Sequence, residues 1–338
     1  MNMKRFFSIV MAVGIVSAFW GCDSFAKLSD SGKTSQGAPY ELVVVSNNQV
    51  WDGIVGDTLR SILRQPVPSI NQYEPLFDVM RVTPDGFKNV IARHRNILKL
   101  LVDSKVTEPA IGVKYDVSAR PQIMIVAQGP NEQSLADYIS ANRDNLLYVL
   151  EKAERDRTVD YAEKYNVASL HEAIMEKFGV IMNVPKGYTL RSASDHFMWI
   201  SYEFPSASQG FFLYSYPYEG PQSLSLGALV DARNRFAARI PGPSDGSYMI
   251  TYMDYEPDYK MIRIGDRLWV EMRGLWDVAN DFMGGPFVSY STVNTETNEV
   301  FTLDCYVYSP KLDKRNFLRA LEHLVYVIEF PSDGDPEK

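Results

Sequence analysis

The sequence predicts an α+β protein made of two diverged β-α-β-β-β-α halves. Helices would pack on mixed, mostly antiparallel sheets, with a ferredoxin-like arrangement as one form of this fold. Segments with the period of a strand alternate with segments of helical period along the chain. "LRQPVP" (63–68) and "ARIPGP" (238–243) each end an amphipathic helix that follows a strand. "LLYVLE" (146–151) and "LVYVIE" (324–329) begin 80 and 83 residues after the first proline of these motifs. This near-equal spacing predicts an internal duplication.

The composition is that of a globular protein. The 338 residues allow two modest domains or one large one. Hydrophobic residues make up 46% of the chain and charged residues 22%, so a sizeable core is expected. The net charge is −8, and lysine and arginine are scattered along the chain. This distribution argues against a nucleic-acid partner.

Residues 1–21 have the pattern of an export signal. Lys4 and Arg5 precede an apolar run from Phe6 to Trp20, which is too short for a membrane-spanning helix. No later stretch approaches the roughly 18 uninterrupted apolar residues of a spanning helix. The sequence therefore predicts a protein of the cell envelope, with its body in the periplasm or at the cell surface.

The two cysteines have different expected roles. Cys22 follows Gly21 at the end of the apolar run, which resembles the lipobox of bacterial lipoproteins, where the thiol is acylated and becomes the new N-terminus. This predicts lipidation of Cys22 and a lipid anchor in a membrane, with the outer membrane favoured over the inner one. Cleavage after Ala26, which would remove Cys22, stays open as the alternative. Cys305 lies on the apolar face of a strand and is expected to be buried.

The patterns give the following domain organisation: a signal peptide (1–21), a flexible tether (22–39), a first half (40–155), connecting helices (156–178), a second half (179–330) and a disordered tail (331–338). In the first half, strands are expected at 40–46, 76–82, 97–103 and 122–128, and helices at 51–63, 87–94 and 135–150. The charged stretch 154–166 is expected to be a solvated connector, and a capping box opens a helix at 169–178. In the second half, strands are expected at 187–191, 196–204, 211–218, 248–253, 259–264, 267–273, 287–293 and 299–308, and helices near 224–240 and 314–328.

A ligand or partner is expected to bind where the two halves meet, because domain junctions favour pockets.

Residues 273–290, "RGLWDVANDFMGGPFVSY", predict a strand–helix–strand corner, because Gly-Gly-Pro at 284–286 ends any helix. Asp277 and Asp281 would then lie one helical turn apart beside Trp276. Two acids at this spacing are able to bind a metal or to divide acid and base roles. The favoured interpretation is that they sit at the two ends of the helix as structural residues.

Arg233 falls on the apolar stripe of the helix predicted near 224–240. An arginine in this position is expected to be buried and to need a carboxylate partner, for which Glu271, Asp277 or Asp281 would serve. A structural ion pair is the favoured interpretation, and an anion-binding site is the alternative.

The tract 197–218 holds nine aromatic residues in 22 positions. Tyr214 and Tyr216 alternate with smaller residues, so one face of their strand is aromatic. If this face is exposed, it is a stacking platform for sugar or peptide. If it is buried, it is the core of a sheet, which favours aromatic residues in any case.

Motifs for catalysis or cofactor binding are not found in the sequence. The four histidines lie far apart, and the chain has no GxSxG, CxxC, glycine-rich dinucleotide loop or EF-hand loop. The sequence therefore predicts no catalytic, cofactor-binding or metal-binding residues and no cofactor.

Several segments resemble a family of Bacteroidota lipoproteins grouped as domain of unknown function 4837. They are "RNIL" (95–98), "FMWI" (197–200), "RIPGPSDGSYM" (239–249), "RGLWDV" (273–278), "MGGPFVSY" (283–290) and "VYSP" (307–310). The resemblance implies a lipid-anchored envelope protein and brings no established catalytic residues. We therefore expect a non-catalytic binding or assembly component that contacts the membrane through its anchor and binds another envelope protein or a glycan. The low-weight contact candidates are Arg233, Trp276, Asp277, Asp281, Tyr214 and Tyr216. The alternative is a hydrolase that acts on envelope glycan or lipid with the acids of the 273–290 corner.

Overall fold

The computed structural model describes residues 32–331. The predicted signal peptide, Cys22, the cleavage site after Ala26 and residues 332–338 lie outside the described residues. Within residues 32–331, no helix is long and apolar enough to cross a membrane. Part of the predicted tether is paired with the body of the protein, because Thr34 and Gln36 form β-bridges with Arg120 and His94.

The first half of the chain forms a five-stranded sheet with helices on one face. Its elements are β1 (Glu41–Val45), α1 (Asn48–Asp52), α2 (Ile54–Leu63), β2 (Asp78–Val82), β3 (Asn96–Val102), β4 (Ala110–Tyr115), β5 (Ile123–Gly129), α3 (Glu132–Ala141) and α4 (Arg143–Lys164). The strand order is β2-β1-β3-β5-β4, in which only β4 runs antiparallel to its neighbour. Helices α2, α3 and α4 cover one face, and the loops around Phe87 and Val117 cover part of the other.

The second half forms a larger, antiparallel sheet. Its elements are α5 (Ala168–Phe178), β6 (Ile181–Met182), β7 (Thr189–Ser194), β8 (Phe197–Phe204), β9 (Ala207–Pro217), α6 (Leu226–Ala237), β10 (Tyr248–Thr251), β11 (Asp258–Ile264), β12 (Arg267–Ala279), β13 (Gly285–Asn294), β14 (Glu299–Tyr308), α7 (Arg315–Glu322) and β15 (Ile328–Glu329). The strand order is β10-β12-β13-β14-β9-β8-β7, and β11 pairs with the first part of β12. β6 and β15 form a separate two-stranded sheet.

The two faces of the large sheet are covered by different helices. Helices α5 and α7 pack on one face, over side chains such as Phe211, Leu303 and Cys305. Helix α6 packs on the other face, over side chains such as Phe212 and Tyr214. Neighbouring residues of β9 and β14 therefore serve opposite cores, because side chains alternate along a strand. Cys305 is buried as predicted.

The α+β class is confirmed, but the expected duplication is wrong. The first sheet has three parallel pairings and one antiparallel pairing, whereas the sheet of the second half is antiparallel throughout. The paired landmarks also differ, because 146–151 lies inside α4 while 324–329 is a short 3₁₀ turn followed by β15. The continuous apolar run of β1 suits a parallel strand buried on both faces, which is why its half does not repeat the antiparallel design.

The helix predicted within 273–290 is also wrong. Strand β12 continues through Trp276 to Ala279, and a tight turn at 280–284 leads into β13. Trp276 and Val278 are buried while Asp277 between them is half-buried, which is the alternation of a strand. The Gly-Gly-Pro sequence therefore ends a hairpin turn and not a helix.

The charged stretch 154–166 is not a solvated connector. It is the second part of α4, and Glu154 within it is buried. Glu154 pairs with Arg95 at 2.7 Å and with Arg157 at 3.1 Å. A contact between the halves is made by Glu74, which accepts hydrogen bonds from the backbone N–H groups of residues 314 and 315 at the start of α7.

Candidate functional site

A cleft lies on the face of the large sheet that α6 covers, beyond the C-terminal end of that helix. Its volume is about 560 Å³, and we call it the aromatic cleft. Its lining residues come from four parts of the second half: Trp199 and Glu203–Ser208; Ile240–Pro243 and Met249; Trp276, Val278 and Met283; and Tyr306, Tyr308, Pro310 and Lys311. Most of these side chains are apolar or aromatic, as is usual for small-molecule sites.

Tyr306 and Trp199 form one side of the cleft floor. The indole Nε1 of Trp199 donates a hydrogen bond of 2.7 Å to the hydroxyl oxygen of Tyr306. The Tyr306 ring lies over Gly210 of the neighbouring strand, where an added Cβ atom would be only 2.6 Å from the hydroxyl oxygen. Glycine at position 210 therefore makes room for the tyrosine ring to lie flat on the sheet. Burial raises the pKa of Tyr306, so its hydroxyl stays protonated.

Trp276 forms the other side of the floor in the same way. Its ring packs edge-on against Tyr306 with the ring centroids 5.8 Å apart, and its Nε1 donates to the backbone carbonyl of Val307 at 3.2 Å. The ring passes over Gly285, where an added Cβ atom would lie 3.1 Å from Nε1 and would collide with the carbonyl of Val307. Gly285, the second glycine of "MGGPFVSY", is therefore needed for the position of the Trp276 ring.

Two ionisable side chains other than tyrosine line the cleft, Glu203 and Lys311. Glu203 accepts hydrogen bonds from the hydroxyls of Ser201 at 2.6 Å and Ser208 at 3.0 Å, and Arg191 lies 3.6 Å away. Lys311 is exposed and has no hydrogen-bond or ion-pair partner within residues 32–331. The mouth of the cleft therefore carries one neutralised carboxylate and one free ammonium group.

Arg233, an expected site residue, belongs to α6, and its side chain is wholly buried between this helix and the large sheet. Its Nε donates to Asp304 at 3.0 Å, its Nη1 donates to Thr251 at 3.0 Å, and its guanidinium lies 3.8 Å from the centre of the Phe287 ring. Burial raises the pKa of Asp304 to about 6, against the opposing effect of Arg233. The favoured interpretation, a structural ion pair, describes this arrangement. The carboxylate partner is Asp304, however, while Glu271 pairs with Arg273.

Asp277 and Asp281 are not brought together with Arg233, and none of the three lines the aromatic cleft. Asp277 accepts a hydrogen bond from the backbone N–H of Val278 at 2.8 Å. Asp281 lies in the turn after β12 and accepts from the hydroxyl of Ser244 at 2.6 Å, which lowers the pKa of its carboxyl together with the backbone N–H of residue 282. The pocket of acids on which the hydrolase alternative depended is therefore not formed.

Tyr214 and Tyr216 belong to the core and not to an exposed platform. Tyr214 is fully buried and stacks on Phe236 of α6, with 4.5 Å between the ring centroids. The hydroxyl of Tyr216 donates to the backbone carbonyl of Ser223 at 2.9 Å. The aromatic tract does contribute to the cleft, but through Trp199 and the turn that begins at Glu203.

The junction of the two halves also differs from expectation. Its cavity, about 280 Å³, is lined by Tyr40, Arg95, Glu154, Arg157 and His323 among others. His323 makes the hydrogen bonds across the junction here, to the hydroxyls of Tyr40 at 3.3 Å and Thr158 at 3.1 Å, whereas Glu154 pairs with Arg95 and Arg157 of its own half. The larger cavity lies entirely within the second half. The described residues contain no group of three or more His, Cys, Asp or Glu residues that could hold a metal ion.

Five of the segments that carried the family resemblance meet at the aromatic cleft. "FMWI" contributes Trp199, "RIPGPSDGSYM" contributes Ile240, and "RGLWDV" contributes Trp276. "MGGPFVSY" contributes Met283 and "VYSP" contributes Tyr308. The importance of these side chains as a group was missed from the sequence, although each lay in a motif that had been singled out.

The fold and the cleft define a two-part α+β protein with a non-polar site on the face of an antiparallel sheet. Residues 167–327 match the family described as Domain of unknown function (DUF4837), which is the family that the resemblance predicted. Residues 35–162 match a different family, Domain of unknown function (DUF8532). Two different families for the two halves agree with their different sheets.

Solved structures show only distant likeness to this chain. LpqN of Mycobacterium tuberculosis, involved in cell envelope biogenesis, is 12% identical with a TM-score of 0.27 over 44% of this chain and 82% of its own. The Ran-binding protein Mog1p of Saccharomyces cerevisiae is 11% identical with a TM-score of 0.30, over 45% and 92%. The lipid transfer and protein localization domain of human StarD13 is 10% identical with a TM-score of 0.23, over 46% and 95%. A comparison with curated proteins found no match. These likenesses are too weak to assign an activity.

Proposed function

We propose that this chain is a non-catalytic binding protein of the cell envelope, and that the aromatic cleft is its binding site. The observation that carries the proposal is the meeting of five family segments at one open, largely apolar cleft. A well-formed apolar pocket of roughly 300–1,000 Å³ is the default candidate for a binding site. The volume of about 560 Å³ falls in this range.

The partly exposed apolar side chains of the cleft, such as Trp199, Met283 and Tyr308, support a binding role. Leaving apolar surface in contact with water costs roughly 25 cal/mol per Å², so large open apolar patches usually mark binding sites. Gly210 and Gly285 lie beneath the rings of Tyr306 and Trp276, where a larger residue would not fit. Trp276 and Tyr306 are themselves only 2% and 3% exposed, so they form the base of the cleft beneath its partly exposed side chains.

The polar groups of the cleft favour binding over catalysis. The only carboxylate in the lining, Glu203, already accepts hydrogen bonds from two serine hydroxyls. Among residues 32–331, no cysteine or histidine lines the cleft, and the lining hydroxyls include no residue paired with a histidine base. Nucleophilic catalysis needs such a pair within hydrogen-bond distance.

The envelope location rests on the sequence of residues 1–22. The charged start, the short apolar run and Gly21-Cys22 are the features of an exported lipoprotein. Mass spectrometry of the mature N-terminus tests this part of the proposal, and acylated Cys22 is the expected result. A free N-terminus at Lys27 would mean cleavage after Ala26 and no lipid anchor at Cys22.

The binding site is tested with the neutral fluorescent probe N-phenyl-1-naphthylamine, which becomes bright in apolar surroundings. We expect the probe to bind the wild-type protein and to bind Met283→Asp at least about tenfold more weakly, because a carboxylate in the cleft resists desolvation. Met253→Asp is the matched control, since Met253 is 53% exposed and does not line the cleft. Equal probe affinity in the wild type and both variants would contradict the proposed site.

A further inference from the structure

The polar atoms of the cleft floor are already used within the protein. The indole N–H of Trp199 is bonded to Tyr306, and that of Trp276 is bonded to the carbonyl of Val307. The floor therefore offers ring faces and few free donors. A sugar would lose water from its hydroxyls on entering without gaining partners, which costs about 1–3 kcal/mol for each unpaired group. An apolar ligand meets no such penalty.

The backbone of the floor is also fully used, which argues against a bound peptide. The floor is the face of the sheet between β8 and β12, and each of these strands pairs with its neighbours through backbone hydrogen bonds. Peptides that bind sheets do so at an open edge, where backbone groups are free. A peptide lying on this face would leave its own N–H and C=O groups without partners. A hydrocarbon chain has no such groups.

The apolar surface continues outside the cleft on both sides of its mouth. Phe282, next to Met283 in the turn after β12, is fully exposed, and Leu312, next to Lys311, is 47% exposed. Together with the partly exposed lining of the cleft, these side chains extend one apolar surface, and contiguous apolar surface of this kind marks binding sites. The ligand is therefore expected to extend beyond the cavity, as a flexible chain does.

The charge at the mouth of the cleft indicates which head group a ligand with a hydrocarbon chain would carry. Glu203 is neutralised by Arg191 and two serines, whereas Lys311 has no partner among the described residues. The uncompensated charge is therefore positive, and it is complementary to an acid.

From these observations we infer that the aromatic cleft binds the acyl chain of an anionic amphiphile, with the acidic head at Lys311. The acyl chain would lie over the partly exposed side chains of Trp199 and Tyr308 and leave past Phe282. This inference rests on the proposed function, because it names the class of ligand for the same site.

The experiment measures how well two ligands with the same chain displace N-phenyl-1-naphthylamine from the full-length protein. Myristate carries an acidic head, and tetradecanol carries a neutral one; both are used below the concentration at which they form aggregates. We expect myristate to displace the probe at a concentration about two- to fivefold lower, because an exposed ion pair contributes this much. Lys311→Ala is expected to remove the difference between the two ligands. Lys88→Ala, in the first half, is the control.

Equal displacement by myristate and tetradecanol in the wild type would overturn the acidic head and leave the proposed function standing. Displacement by an oligosaccharide or by an apolar peptide, with none by myristate, would overturn the acyl chain. A protein that forms dimers in the absence of lipid, and that Met283→Asp makes monomeric, would show that a second copy covers the cleft and would also overturn the inference. Failure of the probe to bind at all would remove the proposed site itself.

Discussion

His323 is expected to make the stability of the protein depend on pH in the mildly acid range. Its ring lies buried at the junction of the halves, with Nε2 3.3 Å from the hydroxyl of Tyr40 and Nδ1 3.1 Å from that of Thr158. Burial lowers the pKa of His323 to about 3, and nearby Glu322 offsets this only in part. The imidazole is therefore neutral in the folded protein down to about this pH, whereas in the unfolded chain it titrates near 6.5.

The direction and size of the effect follow from this difference in pKa. As the pH falls below about 6.5, the unfolded chain takes up a proton that the folded protein does not, so the free energy of unfolding decreases. One proton changes this free energy by about 1.4 kcal/mol per pH unit, which gives a loss of about 2–3 kcal/mol between pH 6.5 and pH 4.5. Glu322 contributes below this range, because Arg273 and Arg319 overcome its burial and lower its pKa to about 2.

Urea unfolding at pH 7.0, 5.5 and 4.5 tests the prediction in the wild type, His323→Gln and Leu321→Ala. The glutamine variant should lose stability with falling pH less steeply than the wild type, by about 1 kcal/mol per pH unit. Leu321 is buried in the same segment, and its replacement should cost about 2–5 kcal/mol at every pH without changing the slope. Asp304 contributes in the opposite direction, since its pKa is raised to about 6, so the difference between variants is the quantity to compare. Identical slopes in the wild type and His323→Gln would refute the reasoning.

Two further predictions concern the core beneath α6 and the floor of the cleft. Asp304→Asn should lower the free energy of unfolding at pH 7 by about 3–5 kcal/mol, because it leaves Arg233 buried without a counter-charge; a loss under 1 kcal/mol in denaturant unfolding would contradict this. Gly285→Ala should cost about 1–3 kcal/mol and change the tryptophan fluorescence, because the new methyl group collides with the cleft floor. Gly227→Ala, whose added Cβ meets nothing within 4 Å in helix α6, is the control and should neither lower the free energy of unfolding nor change the fluorescence.

The strands of the second half could be predicted from the sequence because alternation is a local signal. The strand expected at 196–204 is β8, and the one expected at 299–308 is β14. Residues 273–290 were the exception, since two acids four residues apart and a Gly-Gly-Pro sequence suggested a helix. The alternation of Trp276 and Val278 with their neighbours was present in the sequence and favoured a continuing strand.

The partners of buried residues could not be predicted, because they depend on strand order. The sequence indicated that Arg233 would be buried with a carboxylate, but the candidates Glu271, Asp277 and Asp281 were wrong. Asp304 is 71 residues away and faces Arg233 only because β14 lies in the middle of the sheet. The same is true of the aromatic cleft, since Trp199, Trp276 and Tyr306 come from three strands whose order in the sheet is not a local property.

The position of the aromatic cleft follows from a difference in length between α6 and the sheet beneath it. Helix α6 has 12 residues and spans about 18 Å, whereas β12 has 13 residues and spans about 43 Å. Arg233 of α6 sits over Asp304 of β14, and Tyr306 and Tyr308 lie about 7 and 13 Å further along that strand. The helix ends before these residues, and the chain that follows it, with Ile240, becomes the wall of the cleft.

This geometry separates two sets of residues on one face of the sheet. Side chains beneath α6, such as Tyr214, are fully buried and contribute to folding. Side chains beyond its end, such as Met283 and Tyr308, are only partly buried and line the cleft. Substitutions of the second set are therefore expected to change binding with little effect on stability, and substitutions of the first set to do the reverse. Substitutions of the residues that line a cleft at the end of a helix can therefore change which ligand binds, while the core under the helix stays the same.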